Sequence, residues 1–405
     1  MTTYRPREIS KVLTEALENM PVVVLSGMRQ TGKSTLLLNQ PELRGRKYMT
    51  FDDFGVLEAA RRNPEELIAG EESLTIDEAQ KYPELLNVIK REVDKKRKPG
   101  RFLLSGSANF LLLKKVAESL AGRAVYLTLH PFTHREIQGV TKEIPSMVYF
   151  LEKGIFPKRN VKPISGPEIM KGGMPSVCLK EVKNPSIWFR GYEQTYLERD
   201  IRALSQVADL VSFRHLLQLV ALRNTKVLNI SELARDAKLN VVTTSRYLSL
   251  METSFILSRM PPYLGNRSSR LIKSPKIYLS DTGLASYLSG IKSLDLNETL
   301  RGTFLENYVA QNLEGIFSAH YPDAKITYWN IQGRYEVDFI VEIGAETIAI
   351  EVKNGSRWQE RDLTGIKAYL SSSKGCRAAI LAYNGNDVVK LEDRIWAAPI
   401  SLLLS

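Results

Sequence analysis

The stretch SGMRQTGKSTLL, Ser26–Leu37, constrains this chain more than any other. Gly27, Gly32, Lys33 and Ser34 fit the spacing G-x-x-x-x-G-K-[ST]. Pro21–Leu25 before it is rich in β-branched valine and predicts a short buried strand. Thr35–Asn39 after it begins a helix. A loop between strand and helix can turn its backbone N–H groups onto phosphate oxygens, assisted by the positive end of the helix. The expected cradle is Gly27, Met28, Arg29, Gln30, Thr31, Gly32, Lys33, Ser34 and Thr35. Lys33 would reach the β- and γ-phosphates and Ser34 would ligate Mg²⁺, so ATP and Mg²⁺ are the expected cofactors.

A phosphate loop needs a second acid, and SLTIDEAQ (Ser73–Gln80) offers one. Leu74 and Ile76 mark a strand with Asp77 and Glu78 at its C-terminal end, where open α/β sheets place ligands. Asp77 would hold the water shell of Mg²⁺. Glu78 would act as general base toward the attacking water.

Further strands are expected at Lys47–Asp53, Arg101–Asn109 and Ala124–Phe132, with a helix over residues 1–20. Helical patterns separate the strands, which implies a parallel, three-layer α/β sheet. Ser105, Ser107 and Asn109 fall at a strand end. Ser107 is the best candidate there to bond the γ-phosphate or the water, although Ser-Gly-Ser also suits a turn. Arg123 stands just before the last strand. It is either an arginine finger for a neighbouring subunit, which would make the chain a homo-oligomer, or a surface charge.

The 405 residues leave room for two to four domains at about 100–200 residues each. A composition of 43% hydrophobic and 25% charged residues is globular rather than disordered. No apolar run is long enough to span a membrane, and the N-terminus has no signal-peptide core. Cys178 and Cys376 lie far apart, which suggests a reducing, cytoplasmic setting. His130 and His134 lack a third ligand and read as structural. The net charge of +11 favours an anionic partner, most simply DNA, although it also serves solubility.

Taken with LSGMRQTGKSTLL and TIDEAQKYP, six further segments carry a resemblance: FLLSGSANF, SLAGRAVYLTLHPFTHREI, GGMPSV, YLERDI, PKIYLSDTGL and FLENYVAQNL. The chain resembles the bacterial and archaeal AAA-type ATPases fused to a C-terminal domain of unknown function. That resemblance implies a multidomain α/β protein. Its expected parts are a P-loop ATPase domain (1–137), a helical connector (138–215), a winged helix-turn-helix (216–290) and a restriction-endonuclease-like α/β domain (291–405).

The residues support the third segment independently. Asn229–Leu257 shows two helical patterns with a break at Leu239–Val242, and SFILSRM and PKIYLSD read as strands. Leu233, Ala234, Ala237, Tyr247, Leu248 and Met251 can share a core. The second helix would read DNA, with Thr243, Thr244, Arg246 and Ser249 facing outward and Arg267 and Arg270 on the wing. A spacer or protein-docking module would show the same pattern.

RYEVDFIVEIGAETIAIEVKNGS (Arg334–Ser356) reads as a hairpin around Gly344-Ala345. A two-residue turn sets Asp338 opposite Glu351, with Val337, Phe339, Val341, Ile348, Ile350 and Val352 on one face. Asp338, Glu351 and Lys353 then share the other. Two facing carboxylates repel unless a divalent cation lies between them. The arrangement matches the D…E-x-K pattern of restriction-endonuclease-like folds, with Glu306 as an added metal ligand and Lys353 assisting the attacking water. The bland alternative is a wet strand face carrying charges. The leading expectation is therefore an ATPase acting on DNA with a nuclease-like domain. The alternative is a nucleotide-controlled DNA- or protein-binding switch with an inert nuclease-like fold.

Overall fold

The computed structural model describes residues 4–107, 120–196, 201, 209–264, 273–294, 297–331 and 333–405. The chain divides into two compact units, Met1–His130 with Thr253–Phe255, and Pro131–Glu252 with Ile256–Ser405. The segments expected as 138–215, 216–290 and 291–405 thus fall almost entirely within the second unit. Among the described residues no helix is long and apolar enough to cross a membrane.

The first unit is built on five parallel strands: β1 (Val22–Ser26), β2 (Lys47–Thr50), β3 (Leu74–Asp77), β4 (Phe102–Gly106) and β5 (Ala124–Thr128). Their order is β2-β3-β4-β1-β5. Alternation along β1 feeds two cores. Val22 and Val24 pack with Ile76, Leu104 and Ile89, whereas Val23 and Leu25 pack with Leu13, Leu36 and Leu103. Both sheet faces are covered, which gives the three layers expected from the strand–helix alternation. The second strand stops at Thr50, short of the expected Asp53. Asp53 instead caps the helix Phe54–Arg62, accepting from Gly55 N and Val56 N.

The second unit contains the helices Leu210–Leu222, Ile230–Asp236 and Val241–Thr253, then the antiparallel pair β6 (Leu257–Met260) and β7 (Lys276–Leu279). A mixed sheet follows: β8 (Lys325–Ile331), β9 (Tyr335–Ile343), β10 (Glu346–Lys353), β11 (Cys376–Tyr383), β12 (Val389–Glu392) and β13 (Ile395–Pro399). Its order is β12-β13-β11-β10-β9-β8, and the helix Glu298–His320 precedes it.

One expectation fails on the helix Val241–Thr253. Thr244, expected to face outward, is fully buried, and its hydroxyl donates to Asn240 O at 3.0 Å. Thr244 lies three, four and seven residues before Tyr247, Leu248 and Met251, so the helical repeat puts it on their inward stripe. Arg246 and Ser249 are exposed and Thr243 is half-buried. Arg267 and Arg270 lie outside the described residues.

Four of the motif segments interlock inside the second unit. Asp281, fully buried, accepts from Gly173 N at 2.6 Å and caps the helix Thr282–Leu288 through Leu284 N at 2.7 Å. Burial pushes its carboxyl up to about 6, against the backbone N–H groups that favour its charge. Gly173 O accepts from Phe132 N at 2.7 Å, Thr282 N donates to Gln311 Oε1 at 3.1 Å, and His134 N donates to Asn312 Oδ1 at 2.6 Å.

A Cβ on Gly173 would stand 2.3 Å from Phe132 O and 2.5 Å from Gln311 Nε2. Gly173→Ala is therefore expected to cost at least about 2 kcal/mol, because backbone must move. Gly191, inside the helix Pro185–Thr195, has open space around its missing Cβ. Gly191→Ala is expected to be neutral or to stabilise by up to about 1 kcal/mol. Chemical denaturation of the two variants beside wild type checks the contrast.

Candidate functional site

The phosphate loop leaves the C-terminal end of β1 through Gly27, whose φ is +152° and whose missing Cβ leaves room for Leu129 O, 2.3 Å from where it would stand. Gln30 and Gly32 also take positive φ, and Gly32 precedes the helix Lys33–Asn39. Arg7 ties the loop down by donating to Thr31 O at 2.8 Å and to His130 O at 2.6 Å. Lys33 is 5% exposed, and its ammonium donates to Gly27 O and Met28 O, both at 2.9 Å. The Lys33 ammonium is thus held by the loop's own carbonyls.

Sheet pairing brings Asp77, at the end of β3, to Ser34. The Ser34 hydroxyl donates to Asp77 Oδ2 at 2.5 Å. Asp77 also accepts from Tyr48 OH at 2.9 Å, from Glu78 N at 3.1 Å and from the Ser105 hydroxyl. Tyr48 and Ser105 were not singled out for this contact by the sequence. They lie on neighbouring strands, and only the strand order reveals them. A hydroxyl beside a buried carboxylate is an oxygen donor set that fits a small hard cation such as Mg²⁺.

Glu78 adopts a left-handed conformation, φ 55°, unusual for a residue with a side chain. Burial raises its carboxyl above the usual range, while Gln80 and Lys33 pull it down. Gln80 Nε2 donates to Glu78 Oε2 and to Ser107 Oγ, the latter at 3.3 Å. Ser107 therefore sits within one side chain of the expected base, and Asn109 lies outside the described residues. Arg123 stands at the start of β5, at the end of the parallel sheet opposite the phosphate loop. It makes a two-point ion pair with Asp94 at 2.6 and 2.8 Å.

The second cluster lines a chamber of about 510 Å³ in the second unit. The hairpin register is the expected one: Glu346 pairs with Ile343 and Ile350 with Phe339. Beyond that pair the carboxylates replace ladder bonds. Asp338 N donates to Glu351 Oε2 at 3.3 Å, and Val352 N donates to Asp338 Oδ2 at 2.9 Å. The bland alternative, a wet strand face, does not hold. Ile340 and Ala349, which alternation puts on the same side as Asp338 and Glu351, pack against Leu363, Ile366 and Tyr369 of the following crossover. Asp338 and Glu351 are only 9% and 8% exposed.

A lysine of this chain reaches three acids here. Lys276 Nζ, on β7, lies 3.1 Å from Glu306 Oε1, 2.5 Å from Glu336 Oε1 and 3.6 Å from Asp338 Oδ1. Burial would lower its proton affinity, but Glu306, Asp338 and Glu336 more than offset this and raise it. Glu306 also accepts from Tyr278 OH at 2.7 Å. Lys353 Nζ lies 2.7 Å from Glu351 Oε1. With Lys276 so placed, the expected ligands Glu306 and Asp338 have an ammonium where a shared metal ion would sit, while Glu351 is met by Lys353. The residues that sequence reasoning missed here are Lys276, Tyr278 and Glu336. Lys276 and Tyr278 alternate onto one face of a strand that the sequence does reveal, but nothing local says which acids that face meets.

The strand order, the phosphate loop and the Ser34–Asp77 contact give the first unit a parallel five-strand sheet that resembles a P-loop ATPase. Residues 19–138 match the family described as AAA domain. Residues 168–295 and 301–403 match two further families, each described as a domain of unknown function, DUF8612 and DUF4143. Uncharacterized proteins of Mycobacterium tuberculosis and Mycobacterium bovis are each 29% identical over 407 residues, covering 98% of this chain and 84% of theirs. Among solved structures, a Walker-type ATPase of Pyrococcus abyssi is 17% identical. The match covers 71% of this chain and 99% of that one, with a TM-score of 0.41.

Burial first, and then Asp338, lift the Glu351 carboxyl from 4.5 to about 8, against the pull of Lys353. Folding therefore favours the protonated acid. That contribution to stability is full below the unfolded value and is lost as pH rises through about 8. Glu351→Gln keeps the shape without the charge, so the variant is expected to lose less stability than wild type between about pH 5 and pH 8.5. Urea melts across that range check this, and parallel profiles for the two proteins would contradict it.

Proposed function

We propose that this chain binds and hydrolyses ATP with Mg²⁺ at the phosphate loop and uses the cycle to act on DNA. The observation that carries the proposal is the Ser34–Asp77 contact beside Lys33, with Glu78 one residue further on. Lys33 would exchange the carbonyls of Gly27 and Met28 for phosphate oxygens. Ser34 and Asp77 would hold Mg²⁺, which supplies charge neutralisation at the phosphates. Glu78 would accept the proton of the attacking water, oriented by Gln80 and Ser107. Arg123 could serve a neighbouring subunit only by leaving Asp94.

The DNA part rests on the net charge of +11 and on the helices Ile230–Asp236 and Val241–Thr253 followed by the β6–β7 pair. That order supports a winged helix with Arg246 and Ser249 on its reading helix. The adjacency of Asp338, Glu351 and Lys353 supports a nuclease-like origin for the C-terminal sheet. Lys276 favours the second reading, a nucleotide-controlled switch in which that fold is inert.

Lys33→Ala is expected to weaken ATP binding about 30-fold or more, the effect of losing a charge-assisted contact worth roughly 2 kcal/mol. Glu78→Gln is expected to retain binding and to lose about 10²-fold or more in turnover. Binding titrations and phosphate-release assays, with and without single- and double-stranded DNA, separate the two roles. Hydrolysis at the wild-type rate in Glu78→Gln would put the base elsewhere, and ATPase rates indifferent to DNA would count against DNA as the partner. Arg246→Ala is expected to flatten the slope of log K against log salt for duplex binding by about 0.9, the share of one phosphate contact. An unchanged slope would make the helix a docking surface for something other than DNA.

A further inference from the structure

We propose that Lys276 is a built-in counter-cation that keeps divalent metal out of the acidic chamber, so that the chamber takes up such an ion only when the Lys276 ammonium is removed or withdrawn. This rests on the reading that Glu306, Asp338 and Glu351 are a metal-ligand set. A hard divalent ion held by Glu306 and Asp338 would need oxygens at about 2.0–2.6 Å from both. The Lys276 ammonium lies within 3.6 Å of each acid, in the space that ion would fill. Two cations sharing that space would repel.

Lys276 is also held in place, unlike a surface lysine. Its side chain is 4% exposed. The flanking backbone is pinned on both sides: Leu228 N donates to Pro275 O at 2.8 Å, Thr225 N to Ile277 O at 2.7 Å and Ile277 N to Lys226 O at 3.0 Å, while β6 pairs along the other edge. With the backbone fixed, burial and the three acids hold the ammonium, and β7 follows the helix Val241–Thr253 in the chain.

The chamber wall carries an independent sign that it accommodates more than this arrangement. Thr225 lines it, is 2% exposed, and its hydroxyl has no hydrogen-bond partner among the described residues. Thr225 also holds φ at 65°, a left-handed conformation that a β-branched residue avoids. An unsatisfied buried hydroxyl and a strained backbone on one wall residue mark a place built for a further ligand or a second arrangement.

The test uses the full chain and Mn²⁺ alone as probe, read by thermal melting and by calorimetric titration. Wild type is expected to melt within about 1 °C with and without millimolar Mn²⁺. Lys276→Met is expected to gain about 3 °C or more and to bind Mn²⁺ at least about tenfold more tightly. Lys276→Met/Glu336→Gln removes one charge of each sign and guards against misfolding of the single variant. Adding Asp338→Asn to either is expected to abolish the gain. An equal Mn²⁺ response in wild type and in the Lys276 variants would overturn the lock while leaving the metal-ligand set standing. No response in any folded variant would overturn both.

Discussion

The parallel pairing of β1 between β4 and β5 is the constraint on which the nucleotide site depends. It fixes where β1 ends, and so where the phosphate loop begins. The next strands, in the order β4, β3 and β2, bring Ser105, Asp77 and Tyr48 to one edge of the sheet. Asp77 is left 2% exposed with four donors around it, one of them the Ser34 hydroxyl of the loop itself. A buried carboxylate is tolerated when its lone pairs are satisfied, and here the satisfying groups come from four separate segments. Positioning and charge are therefore supplied by the same contacts.

In the second unit a different carboxylate plays the joining part. Asp281 is fully buried and bonded to the Gly173 loop and to the helix that it caps. Close approach there requires a glycine at position 173, where any Cβ would meet backbone oxygen. The motif segments that carry the family resemblance in this region are thus engaged with one another, which is a structural use for them. A functional use is more visible in the chamber, where Glu306, Asp338 and Glu351 converge with Lys276 and Lys353.

The chamber shows how a pattern can be right in register and incomplete in meaning. The hairpin alternates as its sequence says, and Asp338 does meet Glu351. The repulsion between the acids is relieved by backbone N–H groups and by two ammonium ions, one of them from β7. Five side chains, three acids and two lysines, therefore form one largely buried, salt-bridged cluster. What that cluster can admit turns on Lys276.

The sequence by itself determined the phosphate loop, the acid pair after β3, the parallel three-layer sheet and the hairpin register, because each follows from spacing and alternation within a few residues. It also marked the helices Ile230–Asp236 and Val241–Thr253, but it erred on Thr244, whose place on the buried stripe was set by the same repeat that buried Tyr247 and Met251. What only the tertiary structure decided are the long-range meetings: Tyr48 and Ser105 on Asp77, Asp94 on Arg123, Asp281 on the Gly173 loop, and Lys276 among the acids. Strand order, the crossover that covers Ile340 and Ala349, and the approach of β7 to β9 are fixed by packing between segments far apart in the chain. No local periodicity encodes the charge that a buried face will meet, so the lysine that comes to Glu306 and Asp338 is absent from any reading of the hairpin alone.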